Sequence, residues 1–355
     1  MRRRNTLQAL ACAPLMPSRA SPAPVHAYLG SYGPEGLGCY LQDAESGLLQ
    51  PRGRVENRGE PSWLCAAPDG GLLYAANEAA STLGVYARAA DGGLRLLQER
   101  ASGGVGPVHI SLQGGLAFVA HYGSGEIACW RLDAQGLLGE RLALLPSASG
   151  PGPSHAHMAG CDPSGRYLLA SDLGQGSLLS WRLDEAAGRL GPPRVWQGPP
   201  GAGPRHFRFH PLRPQWLYLL NETASTLSWL HFDASDGSIR QDLTLSSLPA
   251  GHRGTSYASD LRITADGRHL YALNRLHDSI AIFELGRDGQ PRLLGHEPSR
   301  GSYPRSAALS PDGRWLYVCN QRGGNVSRFW VQADGGLHHA GLQSLPAPAA
   351  LVFVV

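Results

Sequence analysis

Cysteine is sparse in this chain, six in 355 residues, and no two of them form a CxxC pair. Cys12 lies near the N-terminus; Cys39, Cys65, Cys129, Cys161 and Cys319 sit in or beside apolar, strand-like stretches. An odd number in the main body argues against a full disulfide framework, and these residues read as small buried hydrophobes. No apolar run approaches the roughly 20 residues needed to cross a bilayer as a helix. Charge of one sign is scarce as well. The formal net charge is +3, and no basic stripe follows the first few residues, which argues against a nucleic-acid partner. The chain also lacks a GxSxG elbow, an HExxH helix and a P-loop, and nothing in it suggests a dinucleotide fold or another cofactor.

Turn residues are abundant: 46 Gly and 27 Pro accompany a 42% hydrophobic share. That supplies a core but interrupts long helices, so the expectation is a single all-β unit. Self-similarity gives it a form. Asp69-Gly70-Gly71-Leu72-Leu73-Tyr74-Ala75-Ala76-Asn77 is repeated as Asp266-Gly267-Arg268-His269-Leu270-Tyr271-Ala272-Leu273-Asn274. A third copy is Asp312-Gly313-Arg314-Trp315-Leu316-Tyr317-Val318-Cys319-Asn320. Weaker copies run from Gly115 to His121, Gly165 to Asp172 and Gln215 to Asn221, and Ala27 to Ser31 opens the series. Strand ends recur at roughly 44 to 53 residues, which suits one four-stranded blade per repeat. The expectation is a seven-bladed β-propeller over residues 25–355. Its first unit lacks an inner strand, which Ala350 to Val355 would supply, closing the ring and removing its edges.

Residues 1–24 read differently. Arg2-Arg3-Arg4, the apolar stretch Leu7 to Met16 and the small residues up to Ala23 resemble a secretion leader. Arg3-Arg4-Asn5-Thr6-Leu7 also resembles a twin-arginine signal. The expectation is a periplasmic protein; the alternative is a cytoplasmic one with an unstructured start.

In each blade the first two strands form a hairpin, so the start of one lies beside the end of the other, near the central channel. Polar residues at those places from neighbouring blades converge. Pro153-Ser154-His155-Ala156-His157 precedes a hairpin ending at Asp172; Gly203-Pro204-Arg205-His206-Phe207 opens the next, which ends at Asn221-Glu222; Asn274-Arg275 ends the one after. Histidine, arginine and glutamate gathered at one spot can hold an anion and move a proton. Other roles remain open for these residues. Arg205 and Arg275 can brace blades through Glu222, and Gly301-Ser302-Tyr303-Pro304-Arg305 repeats the Gly-x-x-Pro-Arg setting of Arg205, so part of it can be blade architecture. Asn77, Asn274 and Asn320 suit turn formation. No carboxylate stands at a telling spacing from His155 and His157, so no metal is assigned.

These segments, with Asp162-Pro163, His277-Asp278-Ser279-Ile280 and the Pro311-Asp312-Gly313 turn, resemble motifs of the propeller lactonase family, over essentially the whole propeller. That family includes bacterial 6-phosphogluconolactonases and a fungal enzyme that lactonises carboxymuconate. The resemblance implies a lactone hydrolase acting on a small, anionic sugar-acid lactone, 6-phosphogluconolactone in the first place and an unphosphorylated one if the protein is exported, with a catalytic set of His157, Arg205, Glu222 and Arg275. His157 is preferred because the family's histidine precedes the turn proline, here Pro163, by six residues. His155, His206, Asp172 and Asn274 are the accompanying candidates for substrate contact. Asp260 and Leu276 depart from the family's usual Glu and Gly. The alternatives are a lactonising cyclase on a muconate-like diacid and a propeller that only binds a ligand or protein.

Overall fold

A computed structural model describes residues 24–355 except Glu35, Ser149 and Pro151; the leader-like segment lies outside the described residues. Those residues form 28 strands and no helix, arranged as seven four-stranded antiparallel sheets. The innermost strands are Pro348–Val354, Pro61–Ala66, Pro107–Gln113, Ala156–Cys161, Pro204–His210, Tyr257–Ile263 and Pro304–Leu309 for blades 1 to 7. Each packs beside the next, and the last returns to the first. Blade 1 is built from both ends of the described chain. Pro348–Val354 pairs with His26–Ser31, matching Leu29 to Leu351, so the ring closes as the repeat pattern predicts.

The repeated residues have physical tasks. In the Asp-Gly turns Gly70, Gly267 and Gly313 have φ near +70°, a region glycine enters without a Cβ clash. The preceding aspartates accept the N–H groups of Gly71, Arg268 and Arg314. The second strands are buried along almost their whole length because sheets cover both faces. Their tyrosines tie each blade to its neighbour. Tyr28, Tyr74, Tyr218, Tyr271 and Tyr317 donate to the carbonyls of Gly92, Gly136, Gly289, Gly335 and Gly47 in the outer turn of the next blade, at 2.6–3.0 Å. Tyr167 reaches Ser235 in the same way. Blade 3 has the buried Phe118 in this place and no hydroxyl to give.

The inner strands carry the feature that makes the site. Their registers slip between Pro61 and Trp63, Pro107 and His109, Ala156 and Met158, Pro204 and His206, and Pro304 and Ser306. One residue is left over in each: Ser62, Val108, His157, Arg205 and Arg305. A bulge bends the strand and re-aims the extra side chain, and here His157, Arg205 and Arg305 all line one narrow void in the central channel, too small to admit a water. Below that void Trp63, His109 and His206 pack as rings, with centroids 4.7–5.9 Å apart. They separate it from a funnel at the opposite mouth lined by Arg208 and Arg262.

Candidate active site

Glu222 stands one residue past the end of its strand, and two guanidinium groups converge on one of its oxygens. Arg205 Nε and Arg275 Nη2 each lie 2.7 Å from Glu222 Oε2. The first contact is close but poorly aligned, and Arg205 Nε has no hydrogen-bond acceptor among the described residues; the attraction is chiefly coulombic. Arg205 Nη1 donates instead to the Ser259 carbonyl. Burial and the neighbouring Arg275 lower the Arg205 pKa to about 9, which leaves it cationic at neutral pH. Arg275 is more fully engaged, donating to the carbonyls of Tyr257 and Ala258 and to the Tyr303 hydroxyl. The sequence contains no lysine, so every side-chain cation here other than a protonated histidine is a guanidinium, suited to planar recognition of oxyanions.

His157 is 4% exposed and its buried Nδ1 has no hydrogen-bond partner among the described residues. Its ring meets His206 edge-on at 5.1 Å and Tyr122 at 5.8 Å. Burial, then the positive charge of Arg205, push its pKa well below the ordinary histidine value, so the ring is neutral and keeps a free lone pair.

His206 lies underneath. Its Nδ1–H donates to Asp260 Oδ1 at 3.0 Å, and burial followed by the Arg205 charge lower its pKa to about 3. Asp260 is fully buried and also accepts the N–H groups of Leu261 and Ala307 while pairing with Arg262 at 3.0 Å. Burial alone would raise its pKa, but Arg262 and the His206 bond hold it far below the usual carboxylate range.

The remaining candidates separate by geometry. His155 is half-buried, stacked on Tyr122 at 4.5 Å, and its Nδ1 meets the Tyr122 carbonyl. Asp172 is fully buried; it accepts from Ser147, Ser154 and the N–H groups of His155 and Gln175. Asn274 is equally buried and bonded to Ser247 and Ser279. These bonds make Asp172 and Asn274 braces of the loops that carry His155 and Arg275, with no group left facing the void. Asn77 and Asn320 brace the next strand likewise, through Thr82 and Asn325. Leu276, where the family commonly has Gly, holds φ at +69°, a left-handed conformation that costs a side-chain-bearing residue roughly 1–2 kcal/mol.

Sequence reasoning missed four residues at this mouth. Tyr32, Glu78 and Tyr122 each follow directly on a second strand, in the position Glu222 occupies, and Arg305 is a bulge residue like Arg205. The signal was present in the repeat: the residue after each strand end, and the second residue of each inner strand. The five cysteines described are unpaired, and burial raises their thiol pKa values.

Three neutral, buried imidazoles make stability pH-dependent. His109, His157 and His206 are all shifted downward, by burial first. The unfolded chain binds these protons near pH 6.5 and the folded chain does not, so stability is complete above that pH and declines below it. Denaturant titrations from pH 7.5 to 5 should show a loss of roughly 1 kcal/mol per histidine for each pH unit below 6.5. His109→Gln should make the decline shallower by one proton.

The whole propeller, residues 26–355, matches the family described as lactonase, 7-bladed beta-propeller. A 6-phosphogluconolactonase of Bacillus subtilis is 32% identical over 51% of this chain and 52% of its own length. One from Sodalis glossinidius is 28% identical over 89% of this chain and 80% of that protein. The structure of the Pseudomonas aeruginosa periplasmic gluconolactonase PpgL is 28% identical, covering 94% of this chain and 99% of that one with a TM-score of 0.88. With the fold, the closed ring and these matches in agreement, the chain belongs to the lactonase family of seven-bladed β-propellers.

Proposed function

We propose that this protein hydrolyses a sugar-acid lactone, in the manner of the 6-phosphogluconolactonases it resembles. The observation that carries this reading is a neutral His157 imidazole lining one void with Arg205, which together with Arg275 clamps the Glu222 carboxylate. The neutral His157 imidazole accepts a proton from water as the water attacks the ring carbonyl. Negative charge then develops on the carbonyl oxygen, in the field of Arg205 and Arg275. Collapse breaks the ring C–O bond, the ring oxygen takes up the proton, and the open acid is released. Glu222 keeps both arginines in place; its Oε1 accepts no hydrogen bond among the described residues and is free to orient the water. Tyr122 meets the His157 ring edge-on; burial and Glu222 raise its hydroxyl pKa, keeping it a donor. The plugged channel beneath makes the pocket blind.

No helix among the described residues is long and apolar enough to cross a membrane. The leader-like residues and the periplasmic P. aeruginosa neighbour support export to the periplasm, which fractionation of tagged full-length protein reads directly. The test of the activity is hydrolysis of freshly generated 6-phosphogluconolactone and of gluconolactone. Acceleration of either above the spontaneous rate is expected. A folded protein that accelerates neither, but closes a muconate-like diacid to its lactone, would replace this reading with the lactonising one.

A further inference from the structure

Resting on the lactonase reading, we infer that Arg305 forms the subsite for an anionic group on the substrate remote from its lactone carbonyl, and thereby sets the preference for a phosphorylated lactone. Unused donors and exposure together single it out. Arg205 and Arg275 look like the natural anion binders, but both are paired with Glu222 and donate to the carbonyls of Ser259, Tyr257 and Ala258, and their side chains are only 1% and 6% exposed. Among the described residues Arg305 makes a single hydrogen bond, from Nη2 to Glu78 Oε2 at 3.3 Å. Its Nε and Nη1 carry no hydrogen bond among the described residues, and its side chain is 12% exposed, enough to meet a ligand while shielded from bulk water.

Its position follows from the fold. Arg305 is the bulge residue of blade 7, and the corresponding place in blade 1 is Ala349, whose small side chain leaves the way open to Glu78 in blade 2. Tyr32 lies beneath the guanidinium, its ring 4.9 Å away, and donates to Glu78 Oε2 at 2.5 Å. Glu78 and Tyr32 thus fix one edge of Arg305; the void it shares with His157 and Arg205 is too narrow to admit even a water, so a ligand meets the unbonded edge from the exposed channel mouth. Tyr303 joins the two halves. It receives the Arg275 bond, stacks under Arg322 at 3.7 Å, and is held at a φ of +63° with its N–H given to Asp278. A non-glycine residue kept in that conformation by its surroundings is a frequent mark of a binding site. Three inward guanidinium groups face two carboxylates, with Arg322 at the rim, so the pocket has a positive surplus. A dianionic phosphate satisfies that surplus, and a neutral lactone does not.

The experiment compares wild type, Arg305→Gln and Arg305→Lys on 6-phosphogluconolactone and gluconolactone, with thermal melts to verify folding. The expected result is at least a tenfold fall in the kcat/KM ratio of phosphorylated to plain lactone in Arg305→Gln, through a raised KM, with partial recovery in Arg305→Lys. An unchanged ratio, or an equal loss on both substrates, overturns the assignment. Calorimetric titration with inorganic phosphate and with 6-phosphogluconate is the second arm. Wild type should bind at least tenfold more tightly than Arg305→Gln; no binding, or equal binding, overturns the subsite. That arm needs no turnover, so a failed subsite is distinguishable from a failed lactonase reading.

Discussion

His157→Ala is expected to lower kcat/KM for lactone opening by two to four orders of magnitude, the range that a positioned general base contributes. The expectation rests on protonation state and geometry together. A base must be unprotonated at working pH, and burial with nearby Arg205 keeps this imidazole neutral well below pH 6.5. It must also have a free lone pair, which a neutral imidazole keeps on one ring nitrogen, and Nδ1 has no hydrogen-bond partner among the described residues. Two consequences separate this role from a structural one. The acid limb of the wild-type kcat/KM profile should lie clearly below pH 6.5, since activity is lost only when the depressed imidazole protonates. In His157→Ala that limb should disappear along with most of the rate. A folded His157→Ala retaining more than a third of wild-type kcat/KM would transfer the role of base to Glu222.

Glu222→Gln should be the most destabilising conservative change at this mouth, by about 3–5 kcal/mol in denaturant unfolding. Glu222 is the carboxylate that both Arg205 and Arg275 contact, and these side chains are 1% and 6% exposed. Glutamine keeps the shape and removes the charge, leaving two buried guanidinium groups that repel each other. Removing one of them should relieve that repulsion. Arg275→Met is therefore expected to destabilise the protein much less in the Glu222→Gln background than in wild type, and the difference in a double-mutant cycle measures the coupling. Additive effects would show that the pair is screened by solvent and that Glu222 has little structural weight.

Particular residues show how legible the molecule was. The Asp-Gly turn, the buried strand and the terminal Asn recur because each blade solves the same local problem, and those tasks are written in contiguous residues. Tyr74, Tyr218, Tyr271 and Tyr317 could be aligned in the sequence, but their bonds to the next blade could not be read there. Arg305 shows the limit more sharply. Its Gly-x-x-Pro-Arg setting matches that of Arg205, and in sequence the duplication points equally to architecture and to function. The structure makes both arginines bulge residues facing one void, and only their partners tell them apart.

Asp172 and Asn274 taught the converse. Their types and positions suit substrate contact, yet their bonding capacity is taken up by Ser147, Ser154, Ser247 and nearby main chain. The sequence by itself determined the blade count, the closing strand and the mouth of the channel where polar residues gather, because turn chemistry, strand patterning and repeat length are local properties. Only the tertiary structure decided which of those residues are free. Whether a donor faces a ligand or a neighbour depends on one-residue bulges and on partners as distant in sequence as Glu78 and Arg305, and no local pattern encodes that pairing.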